Sequence, residues 1–206
     1  MAIIQADIID IKTDTPQQSD IFFVDTNVWF WQTYTNAGFG AKPYQIRHYS
    51  NYPKYLNQAR LKGATLTYSG LTLAELAHII EKTEYNIYIK SYPGLRIKEY
   101  RHNYPAERAN VVTEVKLAWS QVKALGVSIN LTVDDTITDA ALNRFKNQAV
   151  DGYDLFLLEA ISRAGAGQVK IVTDDMDYSV VPGIQVFTSN KYVIQEATIQ
   201  NKLVVR

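Results

Sequence analysis

The chain has no cysteine. Disulfides, thiolate metal centres and cysteine nucleophiles are therefore excluded, and a reducing compartment is compatible. Long apolar runs are also missing. No stretch approaches the ~18 consecutive apolar residues that cross a bilayer, so no membrane association is expected. The opening MAIIQADIIDIKTD has neither a basic start nor an extended apolar segment, which argues against a secretory leader. Cytoplasmic residence is the resulting expectation. Histidine is scarce, and His48, His78 and His102 are too dispersed to form a paired metal-ligand motif. Internal repeats and low-complexity tracts are absent.

Net charge is also lacking: 21 bases balance 21 acids, but their placement is uneven. Residues 41–62, AKPYQIRHYSNYPKYLNQARLK, hold five Lys or Arg and no acid, with Tyr44, Tyr49, Tyr52 and Tyr55 interleaved. Residues 127–180 hold nine acids against four bases. The first stretch suits phosphates and the second suits cations. The hydrophobic content of 47% in 206 residues is enough for one sizeable core.

Strand and helix patterns alternate along the chain. The run IFFV at 21–24 is continuously apolar, as in a strand covered on both faces. A helix is expected over 27–35, capped by Thr26 or Asn27. NAGFGAKPY reads as a loop. A second helix is expected over 53–62 and a strand at ATLTYS. Leu73, Leu76, Ala77 and Ile80 follow helical spacing and predict a helix over 72–90. SYPGLRIKEYRHNYP breaks the pattern. A helix follows over 106–125, closed by Gly126. VSINLTV reads as a short strand, 135–149 as a helix, DGYDLFLLEAISRAG as a helix ended by Gly165, and QVKIVTDD and IQVFTS as strands. The expectation is an α/β fold, a three-layer α/β/α sandwich around a mainly parallel sheet. Residues 1–20 read as a lead-in. Residues 21–190 read as a single domain, with insertions near 36–62 and 88–110, and 191–206 as a tail.

Two expected strands run straight into acids: IFFV into Asp25, and KIVT into Asp174 and Asp175, with Asp177 close behind. Ligands of open parallel sheets bind at the carboxyl ends of strands. Glu75 lies near the start of an apolar helix, and Asp151 and Asp154 share a face of another. Clustered carboxylates repel, and a divalent cation removes that repulsion. Oxygen donors without Cys or a His pair point to a hard ion, Mg2+ or Mn2+, and such an ion usually serves a phosphate substrate.

The segments FVDTNVW, LTLAEL, DGYDLFLLEA and IVTDDMDY occur in the order of the motifs of the PIN-domain ribonucleases, and the chain resembles that family over roughly residues 21–188. The resemblance implies a PIN-like fold and a Mg2+- or Mn2+-dependent endoribonuclease. Its acidic quartet would be Asp25, Glu75, Asp154 and Asp175, with Asp177 as a supporting metal ligand. Asn27 and Thr173 match residues that orient ligands or water. Asp151 is a rival to Asp154 or an extra outer ligand, and Asp174 ranks below Asp175. The implied reaction is hydrolysis of RNA by a cation-activated water, leaving a 3′-hydroxyl. Single-stranded RNA is the expected substrate. Lys42, Arg47, Lys54, Arg60, Tyr44 and Tyr52 are its candidate contacts. The family also implies a homodimer and, for its toxin members, an antitoxin protein as partner. This chain is longer than those toxins, with the excess at the N-terminus and in 36–62 and 88–110.

Other readings stand beside this one. Asp25 can be a helix cap, Glu75, Asp151 and Asp154 first-turn helix acids, and TDDMD a plain acidic turn. His78, one turn after Glu75, can pack or pair with it. A phosphatase of the haloacid-dehalogenase type needs a second Asp two residues after the first, where this chain has Asn27. A non-catalytic PIN-like module binding RNA or protein is the alternative that keeps the fold.

Overall fold

The computed structural model describes residues 3–150, 152–163 and 168–206. Along them run β1 (Asp7–Asp10), β2 (Ile21–Val24), α1 (Thr26–Thr33), α2 (Pro43–Tyr49), α3 (Asn51–Leu61), β3 (Thr65–Tyr68), α4 (Gly70–Tyr88), α5 (Ile97–Asn103) and α6 (Pro105–Leu125). Then come β4 (Val127–Ser128), α7 (Asp135–Asn147), α8 (Gly152–Arg163), β5 (Lys170–Val172), a 3₁₀ turn at Asp177–Val180, β6 (Gln185–Thr188) and α9 (Lys191–Ile199).

The strands form one sheet in the order β1-β6-β5-β2-β3-β4, and every pairing is parallel. β2 is central, which is why its apolar run is continuous. Phe22 and Val24 face a layer built from α1, α3, α4 and α6, where Trp29, Tyr55, Leu56, Leu76, Ile80 and Val122 are buried. Phe23 faces the opposite layer, with Ala141 of α7, Leu157 and Leu158 of α8, and Val193 and Ala197 of α9. The three-layer α/β/α architecture follows from this two-sided burial. Each of these large side chains contributes roughly 1.5–3 kcal/mol by leaving water. Among the described residues, no helix is long and apolar enough to cross a membrane.

Several local expectations change. Residues 1–20 contain a strand: β1 pairs with β6 in the register Ile8 with Val186 and closes one edge of the sheet. Residues 191–206 contain α9 and a parallel bridge from Leu203 to Ile8. The stretch 36–62 is built into the fold, because Tyr52, Tyr55, Leu56 and Ala59 put one face of α3 into the core. The supposed break at 91–105 holds α5, whose Tyr100 is buried. The strand expected at 127–133 stops at Ser128, having only Thr67 and Tyr68 to pair with. Asp25, rather than Thr26 or Asn27, occupies the N-cap position of α1, and its side chain makes no cap bond. Gly165 and Asp151 lie outside the described residues.

Candidate active site

The chain leaves β2 toward β3 and β4 on one side, then returns to lay β5 against β2 on the other. The switch point of the sheet therefore falls between the carboxyl ends of β2 and β5, where open parallel sheets form crevices. Asp25 follows β2 directly, and its N–H extends the ladder to Val172 O at 3.1 Å. Thr173 follows β5, and its hydroxyl donates to Asp25 Oδ2 at 2.7 Å. The same Thr173 Oγ1 accepts the N–H of Asp175 at 2.9 Å, which turns the chain and fixes Asp175 beside Asp25.

A cleft of about 540 Å³ opens here, lined by Asp25, Glu75, Asp154 and Asp175 among others. Glu75 arrives on α4, which follows β3, the neighbour of β2 on the far side from β5. The Thr26 hydroxyl, at the start of α1, donates to Glu75 Oε2. Asp154 arrives in the first turn of α8 and accepts the Tyr178 hydroxyl at 2.5 Å on Oδ1. Four segments distant in sequence thus bring four carboxylates to one cleft. Asn27, His78 and the half-exposed Tyr153 also line it.

Burial dominates the electrostatics. Asp25 and Asp154 are 4% and 8% exposed. Desolvation pushes the Asp25 carboxyl up to about 7, helped by the charges of Asp175 and Glu75 and opposed by the Thr173 hydroxyl. Desolvation likewise pushes Asp154 up to about 8, against the Tyr178 hydroxyl and with repulsion from Asp25, Asp175 and Glu75. The buried Tyr178 phenol is held well above its ordinary range by desolvation and by Asp25 and Asp154, so it stays a neutral donor.

The donor set is carboxylate oxygen throughout, which suits a hard cation such as Mg2+ or Mn2+. A cation would also relieve the repulsion that raises Asp25 and Asp154. Among the described residues, however, no three His, Cys, Asp or Glu side chains are drawn together into a cation-coordinating group. The carboxylates stand around the cleft, with Asp25, Glu75 and Asp154 each bonded to a hydroxyl on its walls. The set fits such an ion in chemistry and in placement around one cleft, not as a closed coordination sphere.

Other residues singled out from the sequence go elsewhere. Asp177 begins the 3₁₀ turn and donates its N–H to Asp175 Oδ1 at 2.9 Å; it is not among the residues lining the cleft. Asp174 points away from the cleft: its Oδ1 accepts the Tyr52 hydroxyl at 2.5 Å and lies 2.7 Å from His48 Nε2. His48 Nδ1 is in turn 3.3 Å from Ser189 Oγ. That order resembles a nucleophilic triad, but Ser189 is wholly buried, so no substrate carbonyl or phosphorus can reach it. Tyr52 is not a nucleic-acid contact. It is fully buried, with its hydroxyl committed to Asp174 and its ring packed against Trp31. Lys42, Lys54 and Arg60 are exposed and line neither this cleft nor its neighbour, whereas Tyr44 and Arg47 line the neighbouring groove.

Thr26, His78, Tyr153 and Tyr178 were not assigned from the sequence as site residues. Thr26 and Tyr178 sit within DTN and DDMDY, so adjacency to the acids was the available signal. Tyr153 had none beyond its place next to Asp154. No protein-family model, no curated protein and no solved structure matches this chain, so the family resemblance rests on the quoted motifs and the site on its geometry.

Proposed function

We propose that the chain is a divalent-cation-dependent ribonuclease that hydrolyses phosphodiester bonds in single-stranded RNA. The observation behind this reading is the convergence of Asp25, Glu75, Asp154 and Asp175 on one cleft at the switch point of a parallel sheet. These four residues would hold Mg2+ or Mn2+. Such an ion, when bound, polarises a phosphoryl oxygen and makes water a competent nucleophile near neutral pH.

The chain's own residues do the positioning. Thr173 and Thr26 orient the carboxylates of Asp25 and Glu75, and Tyr178 orients that of Asp154. Asn27 and His78 sit on the lining, within the reach of a ligand in the cleft. The exposed ring of Tyr153 offers a face for an unpaired base beside the acids. No protein nucleophile is called for, in keeping with the absence of cysteine and the burial of Ser189.

The test is cleavage of mixed single-stranded RNA and DNA in Mg2+ or Mn2+, beside Asp25→Asn and Glu75→Gln. Even outer partners of a metal site are worth about tenfold to a hundredfold, so each variant should lose more than about a hundredfold in rate. Variants as fast as the parent would end the proposal. A toxin role with an inhibitory protein partner is checked separately, by growth arrest on expression and its dependence on Asp25.

The standing apart of the carboxylates favours one second reading, a PIN-like module that binds RNA or protein without catalysis. A rise in melting temperature with millimolar Mn2+, lost in Asp25→Asn, separates the two, because a ligand that prefers the native state stabilises it.

A further inference from the structure

A second groove, of about 450 Å³, has a lining that includes Lys12, Tyr44, Arg47, His48, Asn190, Lys191 and Tyr192, and its His48 and Asn190 bond to Asp174, the residue before Asp175 of the acid cleft. Its lining contains no acid. Lys12 leans on Asp10 at 3.6 Å, while Arg47 and Lys191 have no ion-pair partner among the described residues. Tyr44 and Tyr192 are 59% and 48% exposed, although the tyrosines further along the same basic stretch, Tyr52 and Tyr55, are buried. His48 ties the two features together. It lines the groove and contacts Asp174, whose neighbour Asp175 lines the cleft.

We infer that this groove is a track for single-stranded nucleic acid, carrying the strand that enters the acid cleft; its ligand class rests on the phosphodiester reading above. The chemistry is that of strand binding: unpaired cations that take phosphates, next to exposed aromatic faces that take unstacked bases of any sequence. A base-paired duplex keeps its faces stacked inside and would leave Tyr44 and Tyr192 unused. The groove draws on four segments, around Lys12, on α2, at Asn51 and at the start of α9, so it is absent from any single stretch of sequence.

The measurement is fluorescence anisotropy of a labelled oligouridylate with the full chain carrying Asp25→Asn, in EDTA, over a range of salt. Arg47→Glu with Lys191→Glu should weaken binding at least about tenfold and reduce the slope of log affinity against log salt by about 1.4. Tyr192→Ala should weaken it by on the order of tenfold with less change in slope. Lys54→Glu with Arg60→Glu makes the same change in net charge at exposed sites on α3 outside the groove, and should weaken binding less than about threefold. Circular dichroism and melting temperature are checked for each variant, all of them surface changes.

Equal losses from the two charge-reversed pairs would mean diffuse attraction and would overturn the inference. So would unchanged binding in the groove variants, or a parent that binds no oligonucleotide. Tighter binding of poly-glutamate than of oligouridylate would assign the groove to an acidic protein and overturn it too. Oligothymidylate, run in parallel, reports whether the 2′-hydroxyl is read; equal or weaker binding of it both leave the track in place. A chain that cleaves RNA but whose groove variants bind like the parent loses only this inference. A chain that binds through the groove but never cleaves loses only the hydrolytic reading.

Discussion

At Asp25 the desolvation of a carboxylate governs its protonation and its contribution to stability. A free Asp titrates near about 3.9, whereas burial and like charge hold Asp25 at about 7 and Asp154 at about 8. Between these limits the folded chain binds more protons than the unfolded one. The stabilisation they provide is complete below the unfolded value and is lost as pH rises through the folded values. In EDTA the melting temperature should therefore fall as pH rises from 4 to 8, by on the order of a few kcal/mol in stability. Asp20 works in the opposite sense. Its burial raises the carboxyl, but bonds from Arg206 and Lys170 outweigh that and hold it at about 2, so its contribution is lost progressively below about pH 5, mostly outside the 4–8 window. Asp25→Asn removes one charge at nearly constant shape. The metal-free variant should be more stable than the parent at pH 8, and millimolar Mn2+ should reverse that order by stabilising the parent alone. A melting temperature that is flat in pH, or a variant less stable than the parent in EDTA, would contradict this account of the site.

Elements depend on contacts that propensity alone does not reveal. Gly126 ends α6, as glycine often does, but not by the usual route. Its φ of −130 is extended backbone open to any residue. What favours glycine is space: a Cβ there would sit a tight 3.1 Å from Tyr68 Cδ1, 3.2 Å from Leu66 O and 3.3 Å from Trp29 Cζ2. Gly126→Ala should therefore destabilise by about 1–3 kcal/mol, the range for overpacking, measured by urea denaturation. A neutral result would show that the α6–β4 junction shifts freely. Tyr52, Tyr55, Leu56 and Ala59 follow helical spacing, so a core stripe was legible among the basic residues. The tyrosines pointed to stacking only because amphipathic rings serve cores and surfaces equally well.

On the scale of the molecule, Arg206 joins the two ends of the described chain. Its guanidinium contacts both oxygens of Asp14 at 2.8 and 2.9 Å and both of Asp20 at 2.9 Å, over the ring of Phe187. Tyr55 adds a hydroxyl to Asp14 at 2.5 Å, and Lys170 reaches Asp20 at 2.6 Å. Both carboxylates are almost wholly buried. Arg206→Ala would strand them, and breaking a buried pair from one side typically costs about 3–5 kcal/mol. Thermal or urea melts should show a loss of that order, with Arg206→Lys recovering only part because an ammonium cannot bridge two carboxylates as a planar fork does. Together with the β1–β6 pairing and the Leu203–Ile8 bridge, this clasp ties residues 3–20 and 191–206 to the sheet rather than leaving them as a lead-in and a tail.

What the sequence determined by itself was local. A continuous apolar run ending in Asp25, and another ending in Thr173, Asp174 and Asp175, announce buried parallel strands with acids at their carboxyl ends, because burial on both faces leaves no room for alternation. Helices with full apolar stripes were legible for the same reason. Short elements such as β1, α2 and α5 were not, since four strand residues or two helical turns carry too little periodicity. Only the tertiary structure decided that β5 lies against β2, that α4 and α8 lean their acids over that junction, and that Asp174 turns to His48 while Asp175 turns to the cleft. Those outcomes depend on strand order and on which face each side chain leaves the backbone, and pairing energies between segments over a hundred residues apart are not written in either segment alone.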